Sequence, residues 1–178
     1  KMNFDTEIQL DLISHLVSYH IYGMQLKDER ERVNLLPEMA EKLLFLMDKK
    51  ALLKKASEEM QDDVQKDLKS PILQTASDLF VAGMSFVLGH EIGHHFLKHT
   101  ESNGKNIVSK FIPRDVTSNQ LHLDEFAADN FGFDLLIRGM KEKNDNTLLA
   151  PLIVILMLAL NDKTPEEPSQ EHPSLRDR

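Results

Sequence analysis

Between Leu79 and Leu97 the chain reads LFVAGMSFVLGHEIGHHFL, apolar at almost every position until a cluster of histidines and one glutamate interrupts it. The run shows no two-residue alternation and is longer than an ordinary strand, so it reads as helix. A helix that is apolar nearly all round is expected to be buried at the centre of its domain. The pattern predicts one long buried helix from Ile72 to about His99, with Ser70 as N-cap and Pro71 as first helical residue. Gly83, Gly89 and Gly93 lower its helix propensity; they are tolerable where a neighbouring element must come close.

The rest of the chain is also helix-rich in composition, with only 7 glycines, 6% aromatic residues and many Leu, Ala, Lys and Glu. TEIQLDLISHLVSYHIYGM predicts a first helix with Ile8, Leu12, Leu16 and Tyr19 on one face. QLKDERERVN reads as a charged helix tail or loop. A second helical region is expected from Pro37 toward Leu68, carried by Leu46, Leu53, Met60, Val64 and Leu68. ESNGKNIVSKFIPRDVTSNQ is rich in loop formers and reads as a lid, or as a loop holding the short strand NIVSKFI. A further helix starts near Leu121 with LHLDEFAADNFGFDLLIRGM. LLAPLIVILMLAL, 148–160, reads as a buried helix, because 13 residues fall short of the roughly 20 a bilayer span needs. An acidic, Pro-rich tail closes the chain. These readings give a mainly α fold with at most a small β element. It forms a single domain over 1–178, with a helical N-terminal part (1–70) and a core (71–178).

Charge and cysteine content narrow the function. A net charge of -8 argues against a nucleic-acid surface, and the one basic cluster, Lys49, Lys50, Lys54 and Lys55, alternates with leucines like an exposed helix face. No cysteine is present, which removes disulfides, thiolate metal sites and cysteine nucleophiles and fits a cytoplasmic setting. KMNFDTEIQL has no apolar core of a signal peptide. The expected protein is soluble, with no membrane insertion.

The chemistry concentrates in the histidine cluster. His90-Glu91-Ile92-Gly93-His94 is an H-E-x-x-H sequence, and on a helix His90 and His94 share a face. Two imidazoles so placed can hold a zinc ion, while the intervening Glu91 can reach metal-activated water as a general base. A third ligand is needed. Leu97 and Thr100 stand where the H-E-x-x-H-x-x-G-x-x-H pattern requires Gly and His, and in a continuing helix His99 points away from His94. DEFAAD offers Glu125 as the third ligand and, one turn later, Asp129 to hydrogen-bond the outer nitrogen of His90 or His94. Ala127 and Ala128 would let that helix pack against the glycine-bearing one. Alone, Asp124, Glu125 and Asp129 could equally be acidic residues near a helix N-terminus. His15, His20 and His95 read as packing or surface residues, His122 as a candidate facing the site, and nothing brings Tyr19 or Tyr22 to it.

HEIGHHFLKH followed by DEFAAD resembles the gluzincin zinc metallopeptidases of the M48-like group, in which H-E-x-x-H-x-x-x-x-H precedes E-x-x-x-D. The tail EHPSLRDR looks like the H-P-x-x-x-x-R element of many such enzymes and extends the match to His172, Pro173 and Arg178. The resemblance implies a zincin-like domain and a zinc-dependent endopeptidase acting on protein or peptide substrates. It also implies that His172 or Arg178 lies near the cleft and stabilises the oxyanion. The separation of 31 positions between His94 and Glu125 leaves room for only a short intervening segment. The small soluble U49 (Lit-like) peptidases are similar as well. The ImmA/IrrE-like group supplies the alternative of a regulatory or binding module with little or no hydrolytic activity.

Overall fold

The structure is a computed structural model, which describes residues 4–47, 70–97, 99, 119–139, 145–162 and 164–178. Among the described residues all regular structure is helical: α1 (Phe4–Gln25), α2 (Glu29–Met47), α3 (Pro71–Phe96), α4 (Gln120–Gly139), a 3-10 turn (Asp145–Leu149) and α5 (Ala150–Asn161). The fold is mainly α, a single domain that clusters into two compact units, Lys1–Phe80 and Val81–Arg178. The predicted strand and lid within 101–118, the basic cluster, and Leu53, Met60, Val64 and Leu68 lie outside the described residues.

In the first unit, α1 buries Leu10, Leu12 and Ile13 together with Ser14 and Ser18. The predicted stripe of Ile8, Leu12, Leu16 and Tyr19 contains only one of these, because two small hydroxyl residues share the buried face. Each loses its need for water: Ser14 Oγ donates to the Leu10 carbonyl at 2.8 Å, and Ser18 Oγ donates to the carbonyl of Ile72 in the first turn of α3. The Tyr19 hydroxyl donates to the Glu38 carboxylate on α2, a hydrogen bond that ties these helices together.

The charged run after α1 is not a loop. α2 begins at Glu29, eight residues before the expected Pro37 start, and Pro37 lies inside it. The N-cap explains the difference. Asp28 accepts the Arg30 N–H at 2.9 Å, and Glu29 and Glu31 in the first turn suit the helix dipole, so the capping chemistry sets the start upstream of the proline.

α3 begins at Pro71 as predicted, with the Gln74 N–H bonded to the Ser70 carbonyl at 3.0 Å. Its burial is one-sided rather than all-round. Ala82 and Phe86 are buried, whereas Val81, Leu88, Ile92 and Phe96 are exposed. The same holds for α5, where Ala150, Ile153, Val154 and Met157 are buried and Leu152, Leu156 and Leu160 are exposed. By length and composition α3 could cross a membrane, a measure that the core helix of a folded domain also meets.

In the second unit, α3 and α4 pack backbone against backbone. A Cβ on Gly89 would lie 2.9 Å from Gly132 Cα, and one on Gly132 would lie 2.8 Å from the His90 nitrogen and 2.9 Å from the Phe86 carbonyl. Gly93 is tight but less extreme: a Cβ there would lie 3.1 Å from Phe131 Cβ and 3.2 Å from Ala128 Cα. Glycine at 89 and 132 is a requirement of contact, and its helix-propensity cost of about 1 kcal/mol is the lesser term. This approach brings α4 across the histidine-bearing end of α3.

Candidate metal centre

Three groups converge where the glycines let the helices meet. The Nε2 atoms of His90 and His94 face each other at 3.1 Å, Glu125 Oε1 is 3.2 Å from His94 Nε2, and Glu125 Oε2 is 3.8 Å from His90 Nε2. One ligand atom from each of the three residues lies within 4.8 Å of every other. Glu125 is buried, and both imidazoles are partly buried.

The outer nitrogens are engaged separately. His90 Nδ1 donates to Asp129 Oδ1 at 2.9 Å. Arg178 holds that same carboxylate in a fork, Nε to Oδ2 at 2.8 Å and a terminal nitrogen to Oδ1 at 2.5 Å, while its other terminal nitrogen is 3.3 Å from Glu125 Oε2. His94 Nδ1 lies 3.0 Å from His99 Nδ1. His172 Nδ1 is 3.2 Å from Glu125 Oε2 on a side chain that remains 58% exposed. Glu91 is exposed.

The charges favour a cation here. Burial alone would raise the Glu125 carboxyl, but the hydrogen bond from His94 and the charges of Arg178, His90 and His172 bring it down to about 2. Burial also opposes ionisation of Asp129, and the hydrogen bonds from His90 and Arg178 overcome it, so this carboxyl too is held below its ordinary range. His94 is raised, chiefly by its hydrogen bond to Glu125, against a smaller opposing effect of burial.

These residues fit a zinc ion. The proton that His90 donates to Asp129 sits on Nδ1, which leaves a lone pair on Nε2. That lone pair points at a second imidazole nitrogen and a carboxylate, a donor set suited to sharing one cation. Tetrahedral ligands at about 2.0–2.1 Å from zinc stand about 3.3 Å from one another, close to the 3.1 and 3.2 Å seen here.

The structure also places residues that sequence reading passed over or misplaced. Gly132 was missed, although a glycine in mid-helix four residues after the Ala127-Ala128 step was its signal. His99 does not continue along α3. The helix ends at Phe96 and His99 turns back, buried, because its N–H bonds to the His94 carbonyl at 3.0 Å. His122, the candidate facing the site, is engaged with the tail: its Nε2 donates to the Ser169 carbonyl at 2.8 Å. That bond, with Asn119 Nδ2 to the Gln170 carbonyl at 3.1 Å, fastens the tail to the start of α4. Turns within the tail, such as the Leu175 N–H to Pro165 carbonyl bond at 2.9 Å, then carry Arg178 back to Asp129.

An H-E-x-x-H helix with a Glu-x-x-x-Asp helix laid across it, in a mainly helical domain, defines a zinc-dependent metallopeptidase. The chain belongs to the peptidase U49 family, whose family model matches residues 16–178. No curated protein and no solved structure matches it.

Proposed function

We propose that this protein is a zinc endopeptidase in which His90, His94 and Glu125 hold the metal and Glu91 is the general base. The observation that carries the reading is that one ligand atom each from His90, His94 and Glu125 lies within 4.8 Å of the others. Bound zinc supplies the Lewis acidity that makes water a nucleophile near neutral pH. Glu91, next to His90 in sequence and exposed, takes the proton of the attacking water and returns it to the leaving amine. His172 contacts Glu125 but is largely exposed, which supports it as the group that hydrogen-bonds the developing oxyanion. Arg178 is buried and committed to Asp129 and Glu125, which supports a role in positioning those carboxylates. All of these residues fall within 71–178, which supports that segment as the catalytic core. The substrate class is protein or peptide, and the absence of cysteine supports a cytoplasmic setting.

Glu91→Gln tests the mechanism. It should bind zinc as the wild type does and lose cleavage of an unfolded protein substrate such as casein by about 100-fold or more. Retained cleavage with zinc bound would remove Glu91 from the reaction.

A further inference from the structure

We infer that His99 is a positioning residue of the metal centre, a neutral imidazole that accepts the Nδ1 proton of His94 and so fixes the ring with which His94 presents Nε2 to zinc. This rests on the zinc reading above.

Backbone closure delivers His99 to the site. The Leu97 N–H bonds to the Gly93 carbonyl at 2.8 Å, and the His99 N–H reaches five residues back to the His94 carbonyl at 3.0 Å. That wide closing bond is of the kind that reverses the chain at a helix end. It seats the ring of His99 edge-on to that of His94, with centroids 5.1 Å apart and planes at 73°. The geometry suits a hydrogen bond between the two Nδ1 atoms at 3.0 Å.

The direction of that bond follows from proton counting. A histidine that ligates through Nε2 must carry its proton on Nδ1. His94 is then the donor, so His99 must offer a lone pair at Nδ1 and carry its own proton on Nε2. The surroundings of His99 agree. Its Nε2 is buried with no hydrogen-bond partner among the described residues, and the Asp124 carboxylate lies 3.8 Å away. A negative charge on that side favours the proton at Nε2 over Nδ1. Asp124 is itself buried and held by Gln120 Nε2 at 2.9 Å.

The two histidine ligands are thus supported by two separate chains. Arg178 and Asp129 orient His90, and His99, with the Asp124 carboxylate 3.8 Å beyond it, orients His94. An outer partner that fixes tautomer and ring plane is generally worth about 10- to 100-fold in metal affinity. His99→Leu keeps apolar bulk and removes the acceptor, whereas His99→Asn returns an acceptor oxygen near the place of Nδ1.

The test is zinc affinity by chelator competition on wild type, His99→Leu and His99→Asn, with the thermal midpoint of each metal-free protein. Histidine 15N spectra of the zinc-loaded wild type accompany them. His99→Leu should bind zinc about 10- to 100-fold more weakly, His99→Asn should recover most of that loss, and the spectra should show His99 neutral with its proton on Nε2. Unchanged affinity in His99→Leu, equal losses in both variants, or a proton on His99 Nδ1 would each overturn the inference while leaving the zinc site intact. The spectra decide the matter even where His99→Leu does not fold. Wild type that takes up no zinc would overturn both readings.

Discussion

Gly132 sits against the backbone of His90: a Cβ added to it would lie 2.8 Å from the His90 nitrogen. The first metal ligand is therefore placed by a contact that no side chain can enter. Gly132→Ala must push α4 off α3, since the obstructing atoms are backbone and cannot rotate away. A loss of about 1–3 kcal/mol is expected from overpacking, together with weaker zinc binding. Urea unfolding of the metal-free protein measures the first, and chelator competition the second. Wild-type values for both would show that the helices part without cost.

Arg178 makes a fork to Asp129 and a third contact to Glu125, with its side chain only 8% exposed. Arg178→Ala leaves two buried carboxylates without their cation, and breaking a buried pair in this way costs about 3–5 kcal/mol. Arg178→Lys keeps the charge but cannot form the fork, so it should recover only part of that loss. Thermal unfolding of the two variants should rank wild type above Lys and Lys above Ala.

His172 touches the same carboxylate but is largely open to solvent. If it stabilises the oxyanion, His172→Ala should lower kcat by about 100-fold with little change in KM or in zinc content. A variant that loses zinc and keeps its kcat per zinc would instead make His172 a support for Glu125.

The stability of the metal-free protein should depend on pH in a defined direction. Glu125 and Asp129 are held below their ordinary range, so what they contribute is complete above about pH 4.5 and is lost as pH falls toward the Glu125 value of about 2. For Glu125 the difference between 4.5 and about 2 corresponds to roughly 3 kcal/mol. His94 is raised, so its contribution is complete below its ordinary value of 6.5 and is lost as pH rises through the higher value in the folded protein. The thermal midpoint of EDTA-treated protein should therefore peak between about pH 4.5 and 6.5 and fall on both sides. A midpoint that climbs steadily from pH 6 to 9 would contradict the assignment.

Helix pattern made much of the site legible in advance. His90 and His94 share a face because they lie one turn apart, and Glu125 and Asp129 do so for the same reason. The helix start at Pro71 followed from local capping chemistry. Where the reading went astray, a second local signal or a polar partner was decisive. Asp28 outranked Pro37 in starting α2. Ser14 and Ser18 joined the buried face of α1 because the carbonyls of Leu10 and Ile72 accept their protons. On α3 and α5 the apolar residues were too uniform to tell the buried side from the exposed one.

What the sequence alone determined is the set of groups within one turn of each other: the two imidazoles with Glu91 between them, and the carboxylate pair of α4. The helix repeat decides such relationships before any packing occurs. What tertiary structure decided is how those pairs meet. The Gly89–Gly132 contact, the return of His99 to His94 and the docking of Arg178 on Asp129 each depend on where the chain turns and what it then packs against. Those outcomes rest on contacts between distant segments and on closing bonds at helix ends, which the spacing of residues along a single helix does not specify.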